Sequence, residues 1–297
     1  DALGFPVQFI PRETVQKDPV IGMGKCRTFE SPSGIWSDDT SLSLCLADSL
    51  CFGYNLQDIA SKFIEWLFEG LWTPNNKAFD IGITTMQAIS NLRNRIEPKF
   101  VGLNGEKDNG NGSLMRIAPL IPYIYGLVEE QQIQIISEVS SLTHRHPRSI
   151  LACIFLCKFA IQYLATKEIP TAFAYTQKEI KYLLTQEKFK NECSHFDRLV
   201  NLTYEQFRNI AENDIKSTGY VIDTLEASFW SIFNNNDFKD SVLCAVNLGY
   251  DADTVGAITG ALAGIIYGHD SIPEEWLNVL ARKEDIIELA NKLDSVN

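Results

Sequence analysis

Ser37-Asp38-Asp39-Thr40 and Asp251-Ala252-Asp253-Thr254 are two short acidic runs more than 200 residues apart. Each sets carboxylates and a hydroxyl beside an apolar helical stretch. Carboxylates brought together repel one another, at a cost of several kcal/mol, unless something positive sits between them. Taken alone, each run reads as a helix cap, a common place for Ser and Asp. Taken together, they read as a site for one or two hard divalent cations. Adjacent carboxylates can bind two ions and bridge them, and oxygen-only ligands favour Mg2+ or Mn2+ over zinc. The chemistry expected is that of a binuclear magnesium or manganese hydrolase.

Other segments could serve such a site. In Gly110-Asn111-Gly112-Ser113-Leu114-Met115-Arg116 the glycines let backbone come close to a ligand, and free N–H groups at a following helix start suit a pyrophosphate. The bland alternative is a plain turn. Thr143-His144-Arg145-His146-Pro147 falls at a helix–helix junction and holds two of the four histidines; His144 either lines a site or is a structural hydrogen-bonder. Asp80, in Phe79-Asp80-Ile81-Gly82, either faces a ligand or caps the next helix. Asp223 and Glu226, in Tyr220 to Ala227, are either solvated or orient neighbours.

The elements that position these residues are helical. Apolar spacing predicts helices over 58–69 (ended by Gly70), 130–142, 147 to about 164, 221–233 and 274–293. No alternating β-branched run with a hairpin turn stands out, so the class is all-α. Gly256, Gly260 and Gly264 form an i,i+4 row on a helix from Thr254 to Tyr267. Each glycine costs roughly 1 kcal/mol against alanine, so close approach of another backbone is expected there. That places the helix at the centre of a bundle, with Asp251 and Asp253 at its N-terminal mouth.

The 297 residues are 45% hydrophobic, ample for one large core, and no Pro/Ser-rich linker divides them; a single domain over 1–297 is expected. Net charge is −12 with no basic block, which disfavours general nucleic-acid binding. Residues 149–165 are the most apolar, but Lys158 interrupts a short run, so a core helix and no membrane span is expected. Seven cysteines, several in apolar helical patterns, read as reduced thiols of a cytoplasmic protein. A zinc site at Cys153 and Cys157 lacks a second ligand pair.

The ordered set of motifs resembles the ADP-ribosylglycohydrolase family, the relatives of dinitrogenase reductase-activating glycohydrolase. It runs from Asp1-Ala2-Leu3-Gly4 through Ser37 to Thr40, Trp72-Thr73-Pro74, Phe79 to Gly82, Gly110 to Arg116, Leu142-Thr143-His144 and Tyr220 to Ala227, ending at Asp251 to Thr254. The resemblance implies a compact multi-helix bundle with two Mg2+ (or Mn2+) in a central cleft. It implies Ser37, Asp38, Asp39, Asp251, Asp253 and Thr254 as metal ligands. Asp80, Asp108, Asn109, Gly110, Asn111, Gly112, Ser113 and His144 are implied as substrate contacts. The implied reaction is hydrolysis of an N- or O-glycosidic bond at C1 of an ADP-linked ribose, with Asp80, or Asp39 or Asp253 of the clusters, exchanging the proton. The partner implied is ADP-ribose or an ADP-ribosylated protein or small molecule, bound by a monomer. Ser37 stands where the family usually has Thr, and Gln8 where many members have Glu. In some branches that Glu is a metal-linked or catalytic carboxylate. Its replacement motivates a second reading, a catalytically silent ADP-ribose or nucleotide binder or a toxin's partner.

Overall fold

The structure, a computed structural model, describes residues 1–27 and 31–295. Among them the fold is all-α, with ten helices of ten residues or more. They are α1 (Asp38–Leu50), α2 (Leu56–Glu69), α3 (Ile83–Arg93), α4 (Glu129–Ser141), α5 (Pro147–Thr166), α6 (Ile169–Leu183), α7 (Val221–Phe233), α8 (Phe238–Asn247), α9 (Ala252–Tyr267) and α10 (Lys283–Asp294). The described residues hold no strand, only isolated bridges between Leu103 and His144 and between Gly110 and Tyr220. The second fastens the glycine loop to the start of α7.

Local chemistry sets the helix limits. The Asn55 side chain accepts from the N–H groups of Gln57 and Asp58 to start α2, and Gly70, at φ 78°, stops it. Between them Ile59, Phe63 and Trp66 face the core. Pro147 opens α5, whose cap is the His146 ring accepting from Arg148 N. This helix has 20 residues, long and apolar enough to cross a membrane by length and composition, but most of it is buried inside the fold. Phe155 and Phe159 meet Phe229 of α7 edge-on, with centroids 5.3 and 4.7 Å apart. Lys158 is buried too, donating to Gln132 Oε1 at 2.9 Å and lying 3.2 Å from Glu179. A core helix can carry that lysine because its charge is paired.

Two expectations need correction. The helix expected over 274–293 is two, Glu274–Leu277 and α10, separated by a break at Arg282, whose φ is 53°. The glycine row on α9 meets another backbone at Gly256 alone, where a Cβ would lie 3.8 Å from Asp1 N, and side chains or open space face the rest. A Cβ on Gly256 would lie 2.8 Å from Val246 Cγ1 on α8, one on Gly260 would lie 3.9 Å from Val242 Cγ2, and one on Gly264 would meet nothing within 4 Å. The tight approach is instead at Gly4, where a Cβ would lie 2.2 Å from the carbonyl oxygen of Ala252. That contact seats the first residues of the chain against the start of α9, beside Asp253.

Candidate active site

The N-termini of α1 and α9 converge, and each brings one acidic run. Helix dipoles favour carboxylates at both ends, since unsatisfied N–H groups leave a partial positive charge there. Ser37 and Asp251 occupy the N-cap positions, yet neither side chain caps its helix. For α1 the cap comes from Asp1. Its carboxylate accepts from Ser37 N and Thr40 N, each at 3.0 Å. The ordinary capping task is thus done from outside the run, which leaves Asp38 and Asp39 free for other work.

Carboxylate oxygens of Asp1, Asp39 and Asp253 lie within 4.8 Å of one another. Those of Asp1 are already engaged as a cap, so we read Asp1 as a positioning residue. The sequence placed it in the first matching motif without giving it a role. The Ser37 hydroxyl donates to Asp39 Oδ2 at 2.7 Å. Asp39 Oδ1, both oxygens of Asp253, Asp80 Oδ2 and Gln8 Oε1 are buried without a partner. Five orphaned acceptor oxygens in one place are a heavy desolvation cost, and no buried lysine or arginine among the described residues pairs with them. Hard cations would satisfy the oxygens of Asp39 and Asp253, and the donor set is oxygen throughout.

The electrostatics agree. Burial pushes the carboxyl pKa values of Asp38 and Asp253 well up, and neighbouring aspartates push them further. Burial raises Asp39 as well, offset in part by the nearby amino group of Asp1 and then by hydrogen bonds from Ser37 and Thr254. Asp251 is raised to about 6 by burial and then by Asp39. Asp80 is raised by burial, with the Gln8 side chain opposing the shift. Without a cation the site resists its own charge.

Asp38, Asp80, Asp251, Asp253 and Thr254 line a cleft of about 540 Å³, together with Gln8, Asp108, Gly110 to Gly112 and His144. Asp80 does not cap α3, whose N-cap is Gly82 with no side-chain bond. It sits at φ 56°, a left-handed conformation that costs a non-glycine residue roughly 1–2 kcal/mol and here accompanies its place on the cleft wall. Asn111 Nδ2 donates to Asp251 Oδ2 at 2.5 Å and to Thr224 Oγ1 at 2.9 Å, joining the glycine loop to the second acidic run. No helix follows this loop directly, contrary to expectation; residues 114–116 are turns. Even so, the backbone N–H groups of Gly112, Ser113 and Leu114 find no acceptor among the described residues. A row of free amides is an anion-binding concavity.

Other expected contacts are placed differently. The Asn109 side chain donates to Glu106 O and accepts from Ser149, and the Ser113 hydroxyl accepts from Ser140. Both side chains serve the scaffold and do not line the cleft. Asp108 reaches the cleft wall, but its Oδ2 accepts from Gly105 N at 2.8 Å. Asp223 accepts from Thr218, and Glu226 lies 3.4 Å from Arg198. Phe9 and Ile83, both exposed, and Lys107 also line the cleft and carried no signal in the sequence beyond adjacency to Gln8, Gly82 and Asp108. Among the described residues Cys45, Cys51, Cys153, Cys157, Cys193 and Cys244 form no disulfide, and Cys153 and Cys157 are buried.

Comparison with known proteins gives a consistent result. The sequence model of the family described as ADP-ribosylglycohydrolase matches residues 1–297. The chain is 33% identical over 298 residues to the ADP-ribosylarginine hydrolase Tri1 of Serratia proteamaculans (strain 568), covering 99% of this chain and 75% of that one. It is 28% identical to the ADP-ribosyl-[dinitrogen reductase] glycohydrolase of Rhodospirillum rubrum, covering 95% and 87%. A solved structure described as an ADP-ribosylglycohydrolase-related protein complex superimposes with a TM-score of 0.80 at 28% identity, covering 99% of this chain and 93% of that one. The all-helical fold, the two converging acidic runs and a family match along the whole chain lead to one conclusion: this chain belongs to the ADP-ribosylglycohydrolase family.

Proposed function

We propose that this hydrolase cleaves the bond between C1 of an ADP-linked ribose and an arginine side chain of a modified protein. We assign Ser37, Asp38, Asp39, Asp251, Asp253 and Thr254 to two Mg2+ or Mn2+ ions. Bound there, the cations would neutralise the carboxylates and orient the ribose hydroxyls. The observation that carries the reading is the set of orphaned oxygens on Asp39, Asp80 and Asp253 beside free loop amides. Asp80 and Asp253 line one cleft with Gly110 and Gly112, which supports a ligand that carries both a ribose and a pyrophosphate.

The chain's own residues supply the rest. The free amides of the glycine loop, those of Gly110 and Gly112 on the cleft wall first, bind the pyrophosphate. Water adds its OH to C1, the C1–N bond breaks, and the water's proton ends on the leaving nitrogen. Asp80 Oδ2 is buried, unpartnered and on the cleft wall, and it relays that proton. Gln8 sits beside Asp80, so the cleft keeps a carboxylate next to the position where Gln replaces Glu. That favours turnover over mere binding. Arginine linkage draws on the names of relatives at 33% and 31% identity, both ADP-ribosylarginine hydrolases. Asp80, a cleft carboxylate outside the cation ligands, also suits a guanidinium.

A panel of Arg-, Ser- and O-acetyl-linked ADP-ribose substrates tests this, with Mg2+ and with a chelator. Release from the arginine linkage, abolished by the chelator, is expected. Release only from another linkage would overturn the arginine assignment. ADP-ribose binding without release from any linkage would return the silent-binder reading.

A further inference from the structure

Arg116 is fully buried, and no carboxylate lies within ion-pair reach of it among the described residues. Its Nη2 donates to Val139 O at 3.2 Å and to Thr143 Oγ1 at 2.7 Å, while Nε and Nη1 have no acceptor. The guanidinium rests over the Phe63 ring, 4.6 Å from its centroid. Burial lowers its pKa to about 10, which still leaves it charged at neutral pH.

The next link is Thr143. A guanidinium only donates, so Thr143 Oγ1 must accept from it and keeps its own hydrogen to give away. Its other polar neighbour is His144 Nδ1, at 2.9 Å. Were Nδ1 protonated, the hydroxyl would accept twice, and its hydrogen would point at nothing inside a fully buried residue. With Nδ1 as the acceptor every group is satisfied, and the neutral ring carries its hydrogen on Nε2. That nitrogen faces the glycine loop: a Cβ on Gly110 or on Gly112 would lie 3.4 Å from it. It has no partner among the described residues, and His144 lines the cleft.

We propose that Arg116 and Thr143 are positioning residues that hold His144, already implied as a substrate contact, as a permanent Nε2–H donor towards the space over Gly110 and Gly112. The local set joins Nε2–H and the free Gly112 amide to the Thr85 hydroxyl, which can also donate, with a buried cation behind them that no carboxylate neutralises. Such a set selects an acceptor bearing negative charge. Burial, and then the charge of Arg116, push the His144 pKa down to about 3, so the ring stays neutral across the physiological range. His144 is then a fixed recognition group and exchanges no proton with substrate. The proposal rests on the ADP-ribose reading only for which phosphate is bound.

Nitrogen-15 spectra of the histidine rings in the full chain, from pH 5 to 8, test the tautomer directly. The His144→Gln variant identifies the His144 signals. An Nε2–H pattern that does not change with pH is expected. An Nδ1–H pattern, or titration in that window, would overturn the proposal, and neither result depends on any substrate. In a second arm, calorimetry measures ADP-ribose and inorganic pyrophosphate on Thr143→Val and Thr143→Ser. The valine variant should weaken both ligands about 10-fold and lose the fixed tautomer, and serine should restore both properties. Unchanged affinity in Thr143→Val would overturn it, as would an equal loss in Thr143→Ser. If pyrophosphate responds as expected but ADP-ribose does not bind the unmodified protein, the proposed function fails and this inference stands.

Discussion

Asn111 Nδ2 donates to Asp251 Oδ2 at 2.5 Å across 140 residues of chain. The same amide donates to Thr224 on α7, so one side chain ties the glycine loop, the second acidic run and a core helix together. A hydrogen bond to an ionised group is worth about 1.5–3 kcal/mol. Asn111→Leu should therefore weaken Mg2+ or Mn2+ binding roughly 10- to 100-fold and lower kcat/KM with it. Calorimetric titration of the metal checks this. Unchanged metal affinity would make the contact merely structural.

Asp253 illustrates a conflict between stability and function. Both its oxygens are buried and unpartnered, and Asp38, Asp39, Asp80 and Asp251 all repel it. Asp253→Asn should raise the melting temperature of the metal-free protein by a few degrees while abolishing turnover. Added Mg2+ should stabilise the parent protein more than the variant. A variant less stable than its parent without metal would show that the carboxylate is held by contacts within the protein.

Gly112 has no room for a side chain. A Cβ there would lie 2.8 Å from His144 Cε1 and 2.9 Å from Thr85 Oγ1. Gly112→Ala should push His144 aside and weaken ADP-ribose binding about 10-fold, with the metals still bound. A lowered melting temperature with unaltered ADP-ribose affinity would reduce Gly112 to a turn residue.

Glu226 gives a pH dependence away from the metal ligands. Burial raises its pKa from 4.5 to about 7, only partly opposed by Arg198. The folded state then holds this proton more tightly than the unfolded chain does. Its contribution to stability is present in full below pH 4.5 and is lost as pH rises through about 7. Glu226→Gln should melt higher than the parent at pH 8 and lose that advantage at pH 4.5. Melting curves at the two values decide it; a constant difference would show that Glu226 does not titrate between them.

Helix positions were legible where one stripe faces one core. The segment 221–233 is a helix with the limits its spacing predicts, and Gly70 ends α2 as its type predicts. The aspartates that line the cleft could be read from type and clustering, because grouped carboxylates carry a cost that calls for an explanation. What could not be read depends on three-dimensional proximity. The Asp1 cap spans 36 residues, and Asn109 and Asn111 lie two apart yet face the scaffold and the cleft respectively. The glycine row on α9 pointed to a close backbone that is present at Gly256 and missing at Gly260 and Gly264, because glycine marks absence of bulk without saying what lies opposite. Arg116 stood in a recognised motif, but its lack of a carboxylate partner is visible only in the fold.

The central claim is that the two acidic runs together hold divalent cations. A crystal structure of the full chain grown with Mn2+, using anomalous scattering to locate the metal, tests it most directly. Anomalous peaks are expected between Asp38 and Asp39 on one side and Asp251 and Asp253 on the other, with oxygen distances of roughly 2.0–2.2 Å. Full Mn2+ occupancy at any other site, with Asp39 and Asp253 left without a cation, would contradict the account.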